Sequence, residues 1–393
     1  MKLPGRWVAV GIFVLSSSLN YLDRQLFSAL APVIRGEFGW TYEDYGRVVS
    51  YFSLVYAIAA PLMGLVIDRI GLNAGVSLAV GVWSLATVWT GWARELGGLI
   101  ASRFLLGAAQ GGGVPAAGKA MSTYLEPRER ALGQGLSQVG LSIGMIAAPL
   151  LAGFMEPRFG WRSAFLAGGV LGLFWVPLWL FVARGAPRQK VDPQQRKFAV
   201  TEMLRSRGYW GLVVATMLVM TVYSLWSNWT TPYLVKAWGM EANVVNRTLA
   251  WIPPLIGAVG GLLGGAVSMR MTGAVADARR RAVLYGGLAV AAATALVPFV
   301  GSPLLAALCI GISYSCATMM SVNLYALPLD LFGVERAAFG AASLTGAYGL
   351  MQTVISPAIG YVVDVHGFAP VCLAVAMLPL AGVGLLYLTR ERG

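Results

Sequence analysis

Apolar segments of about 20 residues recur along the whole chain, and a segment of that length can cross a lipid bilayer as an α-helix. The runs are continuous and do not alternate with period two, which favours helices over a membrane β-barrel. Of the 393 residues, 57% are hydrophobic and 12% are charged, whereas soluble domains average about 25% charged residues. We therefore predict an all-α membrane protein with twelve transmembrane helices. The predicted spans are 7–32, 46–67, 74–92, 97–121, 132–155, 163–183, 209–236, 248–269, 282–300, 303–327, 338–362 and 368–388.

The predicted spans divide into two six-helix bundles, residues 1–183 and 209–393, joined by a polar and basic linker at 184–208. The halves resemble each other in sequence. "ERALGQGL", which begins at Glu129, and "ERAAFGAA", which begins at Glu335, share Glu-Arg-Ala, spaced glycines and a later proline. Repeats of this kind are typical of two-bundle transporters, so we expect the two bundles to be pseudo-symmetric.

The formal charge of +12 is explained by membrane topology. If the chain starts inside the cell, most lysines and arginines fall on the cytoplasmic side, as the positive-inside rule requires. We therefore predict cytoplasmic N- and C-termini and a multi-pass protein of the bacterial inner membrane. No nucleic-acid partner is needed to explain the charge, and we expect a monomer surrounded by lipid.

The loop after the second span reads "GLVIDRIGLN" and resembles the signature of the major facilitator superfamily. Asn73 stands where that signature usually has a basic residue. The resemblance implies a role in conformational gating. In this role a carboxylate caps the end of a neighbouring helix and pairs with a basic residue, which holds one conformation closed. Alternatively, Asp68 and Arg69 only anchor the chain at the membrane surface. The predicted gating residues are Gly64, Asp68, Arg69, Gly71, Glu129 and Arg130.

Asp23 and Arg24 lie side by side near the middle of the first span. Charged side chains at that depth are costly and usually serve a function. In the fourth span, Arg103, Gly107 and Gly111 share one helix face, and small residues let a neighbouring helix approach closely. Asp23, Arg24 and Arg103 lie at similar depths in the membrane. We therefore predict that Asp23 pairs with Arg103 and that Arg24 is left to bind an anion. The alternative is a salt bridge that only fixes the first helix against the fourth.

Four segments, "NYLDRQLFSALAP", "RFLLGAAQGGGVPAAGKAMSTYLEPRERA", "GWRSAF" and "AWIPPLIGAVGGLLGGAVS", resemble the anion:cation symporter branch of that superfamily. They are most similar to bacterial hexuronate, aldonate and glucarate carriers. The resemblance implies a proton-driven secondary transporter of small organic anions that works by alternating access. It also implies proton coupling at Asp23, anion binding at Arg24 and Arg103, and substrate contact at Tyr56.

Gln110 stands where the carriers have a glutamate, seven residues after Arg103. Glutamine forms hydrogen bonds but cannot titrate, so Asp23 becomes the only carboxylate deep in any span. We predict that Asp23 carries the proton. When a substrate carboxylate arrives and pairs with an arginine, Asp23 is released from that arginine and can bind a proton. Uniport, another coupling ion, or an engineered substitution that stops the cycle remain open.

Polar and aromatic residues in apolar runs of both halves are candidate substrate contacts. Aromatic faces suit the CH groups of a sugar, while amides and hydroxyls suit its oxygens. Membrane-interface aromatics and helix packing are the competing interpretations. The predicted substrate-binding residues are Tyr21, Arg24, Tyr56, Arg103, Gln110, Trp226, Asn228, Tyr348 and Gln352.

Other classes of protein fit less well. His366 is the only histidine, and no metal-ligand or catalytic spacing accompanies it, so we predict no enzyme, no metal and no cofactor beyond the proton. "GVPAAGK" lacks the Ser or Thr of a phosphate-binding loop. Spinster-type lysolipid carriers also have an "NYxDR" first helix, but "GWRSAF" and "AWIPPL" favour the acid-sugar carriers.

Overall fold

The computed structural model describes residues 3–126, 129–183 and 203–389, without the side chains of residues 3, 4, 68, 131 and 334–338. Within these ranges the chain is helical, with fourteen α-helices and one 3-10 turn at Val297–Phe299. The helices are α1 Leu3–Phe38, α2 Tyr42–Ile70, α3 Leu72–Trp92, α4 Leu96–Gln110, α5 Gly113–Tyr124, α6 Arg130–Phe159, α7 Trp161–Val182, α8 Arg207–Trp238, α9 Ala242–Thr248, α10 Ile252–Arg270, α11 Val275–Leu296, α12 Pro303–Phe332, α13 Val334–His366 and α14 Phe368–Leu388.

Nine helical segments within the described residues are long and apolar enough to cross a membrane. They contain α2, α3, α6, α7, α8, α9–α10, α11, α12 and α14. Three predicted spans, α1, α4–α5 and α13, are not among the nine. α1 carries Asp23 and Arg24, and α4 and α5 are only 15 and 12 residues long. Twelve spans and cytoplasmic termini therefore remain predictions, and residues 184–202 of the predicted linker lie outside the described chain.

The prediction of one continuous helix over 97–121 was wrong. α4 ends at Gln110, a turn follows at Gly111–Gly112, and α5 begins at Gly113. The N–H of Gly112 bonds to the carbonyl of Ala109 three residues back, at 3.2 Å. Consecutive glycines have no side chains to pack and lose much conformational freedom in a helix, so the span is interrupted there.

The helices pack into two compact units. Unit 1 contains α1, α2 from Val48 onward, α3 to α7, and α9. In it α1 packs against α6 and α7, α3 against α4 and α7, and α9 against α6. Its core includes the stacked rings of Trp175 and Trp179, 5.4 Å apart, and the Trp175 indole donates to the carbonyl of Ile12 at 2.6 Å.

Unit 2 contains α8, α10 to α14 and the start of α2, Thr41–Arg47. In it α12 packs against α8, α10, α11 and α13, and α14 against α8 and α11. Asp364 on α13 caps α2 by accepting the backbone N–H groups of Tyr42 and Glu43 at 3.0 and 2.9 Å. Carboxylates stabilise helix N-termini in this way because the first N–H groups have no partner within the helix.

The two segments that resemble each other in sequence have similar local structure. α6 and α13 are 30 and 33 residues long, and their interiors contain prolines, Pro149 and Pro157 in α6 and Pro357 in α13. Each ends at a glycine in the left-handed region, Gly160 with φ 77° and Gly367 with φ 78°, and the next helix starts at the following residue. Glycine suits these ends because other residues are strained at positive φ.

We expect Gly107→Ala to destabilise the protein by about 1–3 kcal/mol, the usual range for an overpacked core. A Cβ at Gly107 would lie 2.6 Å from the carbonyl oxygen of Phe52 on α2. The apparent melting temperature in detergent measures the effect. Gly118→Ala on α5 is the control, because nothing lies within 4 Å of a Cβ there. A Gly107 variant as stable as the control would show that α4 does not need this close approach.

Candidate functional site

Asp23 is fully buried in unit 1, with 0% of its surface exposed. Its Oδ1 atom lies against Gly168 of α7, where an added Cβ would come within 2.9 Å. No hydrogen-bond donor in the described part of the chain reaches either carboxyl oxygen. The Thr87 hydroxyl interacts with this carboxyl, but it donates its own proton to the carbonyl of Trp83 at 3.0 Å.

Arg103 acts on Asp23 through its charge and not through a hydrogen bond to it. Its guanidinium carbon lies 4.4 Å from the ring centroid of Phe27 and 5.4 Å from that of Phe52. The interaction of Asp23 with Arg103 is therefore electrostatic, without a hydrogen bond between them. Aromatic faces attract the Arg103 cation instead.

Arg24 lies on another side of α1 and is partly exposed. Its Nε and Nη2 atoms donate to Oε1 of Gln110 at 3.4 and 3.3 Å. The guanidinium also lies over the rings of Tyr21, Phe52 and Tyr56, at 5.0, 4.9 and 4.7 Å from their centroids. Gln110 is thus a protein partner of Arg24 that the sequence analysis did not identify, and the role of Arg24 in anion binding remains a prediction.

Gln110 is the last residue of α4 and is 1% exposed. Its Nε2 donates to the backbone carbonyl of Asn20 at 3.0 Å, and its Oε1 accepts from Arg24. Both ends of the amide are therefore used to hold α4 against α1. The close packing predicted for Gly107 and Gly111 is confirmed. Added Cβ atoms there would meet the α2 backbone at Phe52 and Ala60.

A cavity of about 170 Å³ lies within unit 1 beside Gln110, and we call it the polar cavity. Predicted residues Tyr21, Tyr56 and Gln110 line it. The other polar residues of the lining were not predicted from the sequence. They are Ser16, Ser17, Asn20, Trp83, Gln134, Ser137 and Gln138. Asn20 could have been found, because it lies four residues before Arg24 and so on the same helix face.

The predicted contacts of the second half lie in unit 2, where each of them is buried. The Trp226 indole, 3% exposed, donates to the Ser313 hydroxyl at 2.9 Å. Asn228 donates to the carbonyl of Ser224 on its own helix at 2.9 Å. Tyr348 packs against Met220 and Met351, and Gln352 is buried at 6% exposure. Their roles in substrate binding remain predictions.

The predicted gating residues lie at helix ends of unit 1. Gly71 joins α2 to α3 with φ 91°, which glycine alone adopts readily. Arg130 donates to the carbonyls of Leu125 and Ser122, and Glu129 accepts the N–H of Glu126 at 2.9 Å. The structure also gives the surroundings of Gly64 and Arg69. An added Cβ at Gly64 would touch Pro115 at 3.5 Å, Arg69 is exposed, and the Asp68 side chain lies outside the described atoms.

The model of the Major Facilitator Superfamily matches residues 13–343. The chain belongs to the Major Facilitator Superfamily. Members of this family are transporters and not enzymes, which confirms the predicted class. The predicted resemblance to carriers of acid sugars is confirmed as well. The hexuronate transporter of Escherichia coli strain K12 is 26% identical over 98% of this chain and 94% of that protein. The galacturonate transporter of Dickeya chrysanthemi is 28% identical over 68% of this chain and 83% of that protein.

Solved structures of the same fold include a bacterial homologue of the human lysosomal transporter Spinster, in an inward-facing and occupied conformation. The TM-score is 0.80, the sequence identity is 18%, and the match covers 99% of this chain and 97% of that one. This likeness shows that the chain has the all-helical fold of the superfamily. At this identity it carries no information on the substrate.

Proposed function

We propose that the protein is a secondary transporter of hydroxylated organic anions, of the hexuronate and aldonate type, coupled to protons. The observation that carries the proposal is the environment of the Arg24 guanidinium. A partly exposed guanidinium in an apolar helix is held by one amide and three aromatic rings beside the polar cavity. The relatives that carry hexuronate and galacturonate support the substrate class.

The two arginines of this region favour an anionic substrate. Asp23, Arg24 and Arg103 bring two cationic side chains and one carboxyl to it. A substrate carboxylate adds a negative charge beside Arg24, and once Asp23 is protonated it takes the place of the charge that Asp23 has lost. Arginine suits this role because its planar donors match the two oxygens of a carboxylate.

Asp23 carries the proton in this proposal. A substrate carboxylate at Arg24 makes this region less positive, which favours binding of a proton at Asp23. Gln110 cannot share this task, because an amide does not titrate. The expected stoichiometry is one proton for each substrate molecule. The protein carries the proton and the substrate together by alternating access across the inner membrane of a bacterium.

Proton movement in proteoliposomes tests the proposal. Glucuronate, galactonate and glucarate are added in turn to the reconstituted full chain, while external pH and uptake of labelled substrate are recorded. We expect external alkalinisation together with uptake for at least one of them. Uptake without alkalinisation would refute the proton coupling and favour uniport or another ion. Neither signal with any acid sugar would refute the substrate class, and lysophospholipid transport would then be the hypothesis to test.

A further inference from the structure

Helix α2 belongs to both units. It runs from Tyr42 to Ile70, yet Thr41–Arg47 belongs to unit 2 and the rest of the helix to unit 1. We call residues Thr41–Arg47 the α2 start. The counterpart in the second half of the chain divides in the opposite sense, because Glu241–Trp251, which contains α9, belongs to unit 1 while α10 belongs to unit 2.

Directed hydrogen bonds hold the α2 start within unit 2. The two carboxylate oxygens of Asp364 on α13 accept the N–H groups of Tyr42 and Glu43 at 3.0 and 2.9 Å. The hydroxyl of Tyr45, a residue that is 1% exposed, donates to the backbone carbonyl of Asn228 on α8 at 2.7 Å. The first N–H groups of a helix have no partner within that helix, so Asp364 supplies acceptors that α2 cannot supply itself.

The α2 start also fits closely against α13. An added Cβ at Gly46 would overlap the carbonyl oxygen of Ser356, and one at Gly360 would overlap the carbonyl oxygen of Tyr42. The amino group of Lys236 on α8 lies 4.6 Å from the centroid of the Tyr42 ring. Helices α8 and α13 therefore form a site in unit 2 that matches the α2 start in shape and in hydrogen bonding.

α9 is held within unit 1 by similar contacts. Asn246, which is 1% exposed, donates to the backbone carbonyl of Ala29 on α1 at 2.8 Å. An added Cβ at Gly153 of α6 would lie 3.1 Å from the backbone nitrogen of Arg247. The same arrangement thus occurs twice, once in each half of the chain, at the start of the second and of the eighth predicted span.

A helix that begins in one unit and continues in the other constrains any movement between them. Alternating access requires the two halves of a transporter to move relative to each other. Helices kink sharply at prolines, but the proline of α2, Pro61, lies well beyond Arg47 and inside unit 1. The contacts of the α2 start are therefore the ones that such a movement would have to break.

We propose that Asp364 is a gating residue, which holds the α2 start in unit 2 in the present conformation and releases it once in each transport cycle. This inference rests on alternating access in the proposed function and not on the identity of the substrate. The gating residues predicted from the sequence lie in unit 1, and Asp364 is not among them. A contact that persisted throughout the cycle would make Asp364 an ordinary helix cap.

Hydrogen exchange of the full chain in detergent tests the hold on the α2 start. Asp364→Asn replaces one acceptor oxygen by an NH₂ group and removes the charge. The amides of the α2 start should then exchange about fivefold faster, the effect of one lost helix cap. Asp277→Asn in the first turn of α11 is the matched control, because Asp277 pairs with Arg280 on its own helix. Unchanged exchange in the Asp364 variant would overturn the inference and leave the proposed function intact.

A disulfide between positions 43 and 364 tests the release. The Glu43→Cys/Asp364→Cys variant is reconstituted, and uptake of labelled galactonate is measured after oxidation and again after reduction with dithiothreitol. Oxidation should slow uptake at least tenfold, because the α2 start can no longer leave unit 2, and reduction should restore it. The linked peptides are confirmed by mass spectrometry.

The control disulfide joins two helices of the same unit. Thr90→Cys/Ser102→Cys links α3 to α4 within unit 1, where the two hydroxyls lie 2.9 Å apart, and its uptake should not change on oxidation. Wild type, whose three cysteines are free, controls for the oxidant.

Two outcomes of the disulfide experiment would overturn the inference. Equal uptake by the oxidised and reduced Glu43→Cys/Asp364→Cys variant would show that the α2 start never leaves unit 2, although transport itself is intact. Equal loss in both disulfide variants would show that any added constraint stops the cycle. Absence of galactonate uptake in wild type counts instead against the proposed substrate, and hydrogen exchange then decides whether Asp364 holds the α2 start.

Discussion

Asp23→Asn should abolish proton movement driven by substrate and prevent uphill accumulation, while the protein keeps its fold. Asparagine has nearly the shape of a protonated aspartic acid but cannot release a proton. The carboxyl has no hydrogen-bond donor in the described chain, so the substitution breaks no hydrogen bond to it. It removes the negative charge that acts on buried Arg103, and loss of one charge of a buried pair is destabilising. The melting temperature should therefore fall while the protein still folds.

Two transport modes separate coupling from binding. In proteoliposomes with a pH gradient, accumulation of labelled galactonate should fall at least tenfold in the Asp23→Asn variant. Exchange of labelled for unlabelled galactonate at equal pH should persist, because exchange needs no net proton movement. Glu156→Gln near the end of α6 is the control for loss of a carboxylate and should behave like wild type. Alkalinisation that survives in the Asp23 variant would place the proton on another group.

The division of Asp23 and Arg24 between different neighbours follows from helix geometry and could have been predicted. Consecutive residues lie about 100° apart around an α-helix, at 3.6 residues per turn. The two side chains must therefore face different neighbours, and the structure places Asp23 against Gly168 and Arg24 against Gln110. The prediction from sequence also gave the two residues different partners, Arg103 for Asp23 and an anion for Arg24, but it did not identify Gly168 or Gln110 as their neighbours.

The close approach of α4 to α2 was predictable, because Gly107 and Gly111 are four residues apart in an apolar helix. The interruption of the helix after Gln110 was harder to predict. Apolar character continues across the glycines, and hydropathy does not register a change of hydrogen-bond pattern at Gly112. Trp83 and Ser137, which line the polar cavity, could not be identified from the sequence. Their position there depends on how several helices pack together, and no local sequence pattern records that packing.

Arg24→Ala should weaken galactonate binding by about 100-fold, and Arg24→Lys should recover only a small part of that loss. Charge-assisted hydrogen bonds contribute roughly 1.5–3 kcal/mol, and tenfold in affinity corresponds to about 1.4 kcal/mol. Lysine keeps the charge but has no planar fork, so it cannot bond the Gln110 carbonyl and a carboxylate with the same geometry. The rings of Tyr21, Phe52 and Tyr56, all within 5.0 Å, are arranged around a flat cation.

Calorimetric titration of the solubilised protein with galactonate and hexanoate measures the loss. Both probes have six carbons and one carboxylate, so both should lose affinity in the Arg24 variants. Arg158→Lys is the control, since that arginine also lies over an aromatic ring, Phe154 at 4.1 Å, but is exposed on α6. If Arg24→Lys binds both probes like wild type, the planar donors are not used and Arg24 acts only as a point charge. If Arg24→Ala also binds normally, the carboxylate lies elsewhere, and Arg103 is the cation to substitute next.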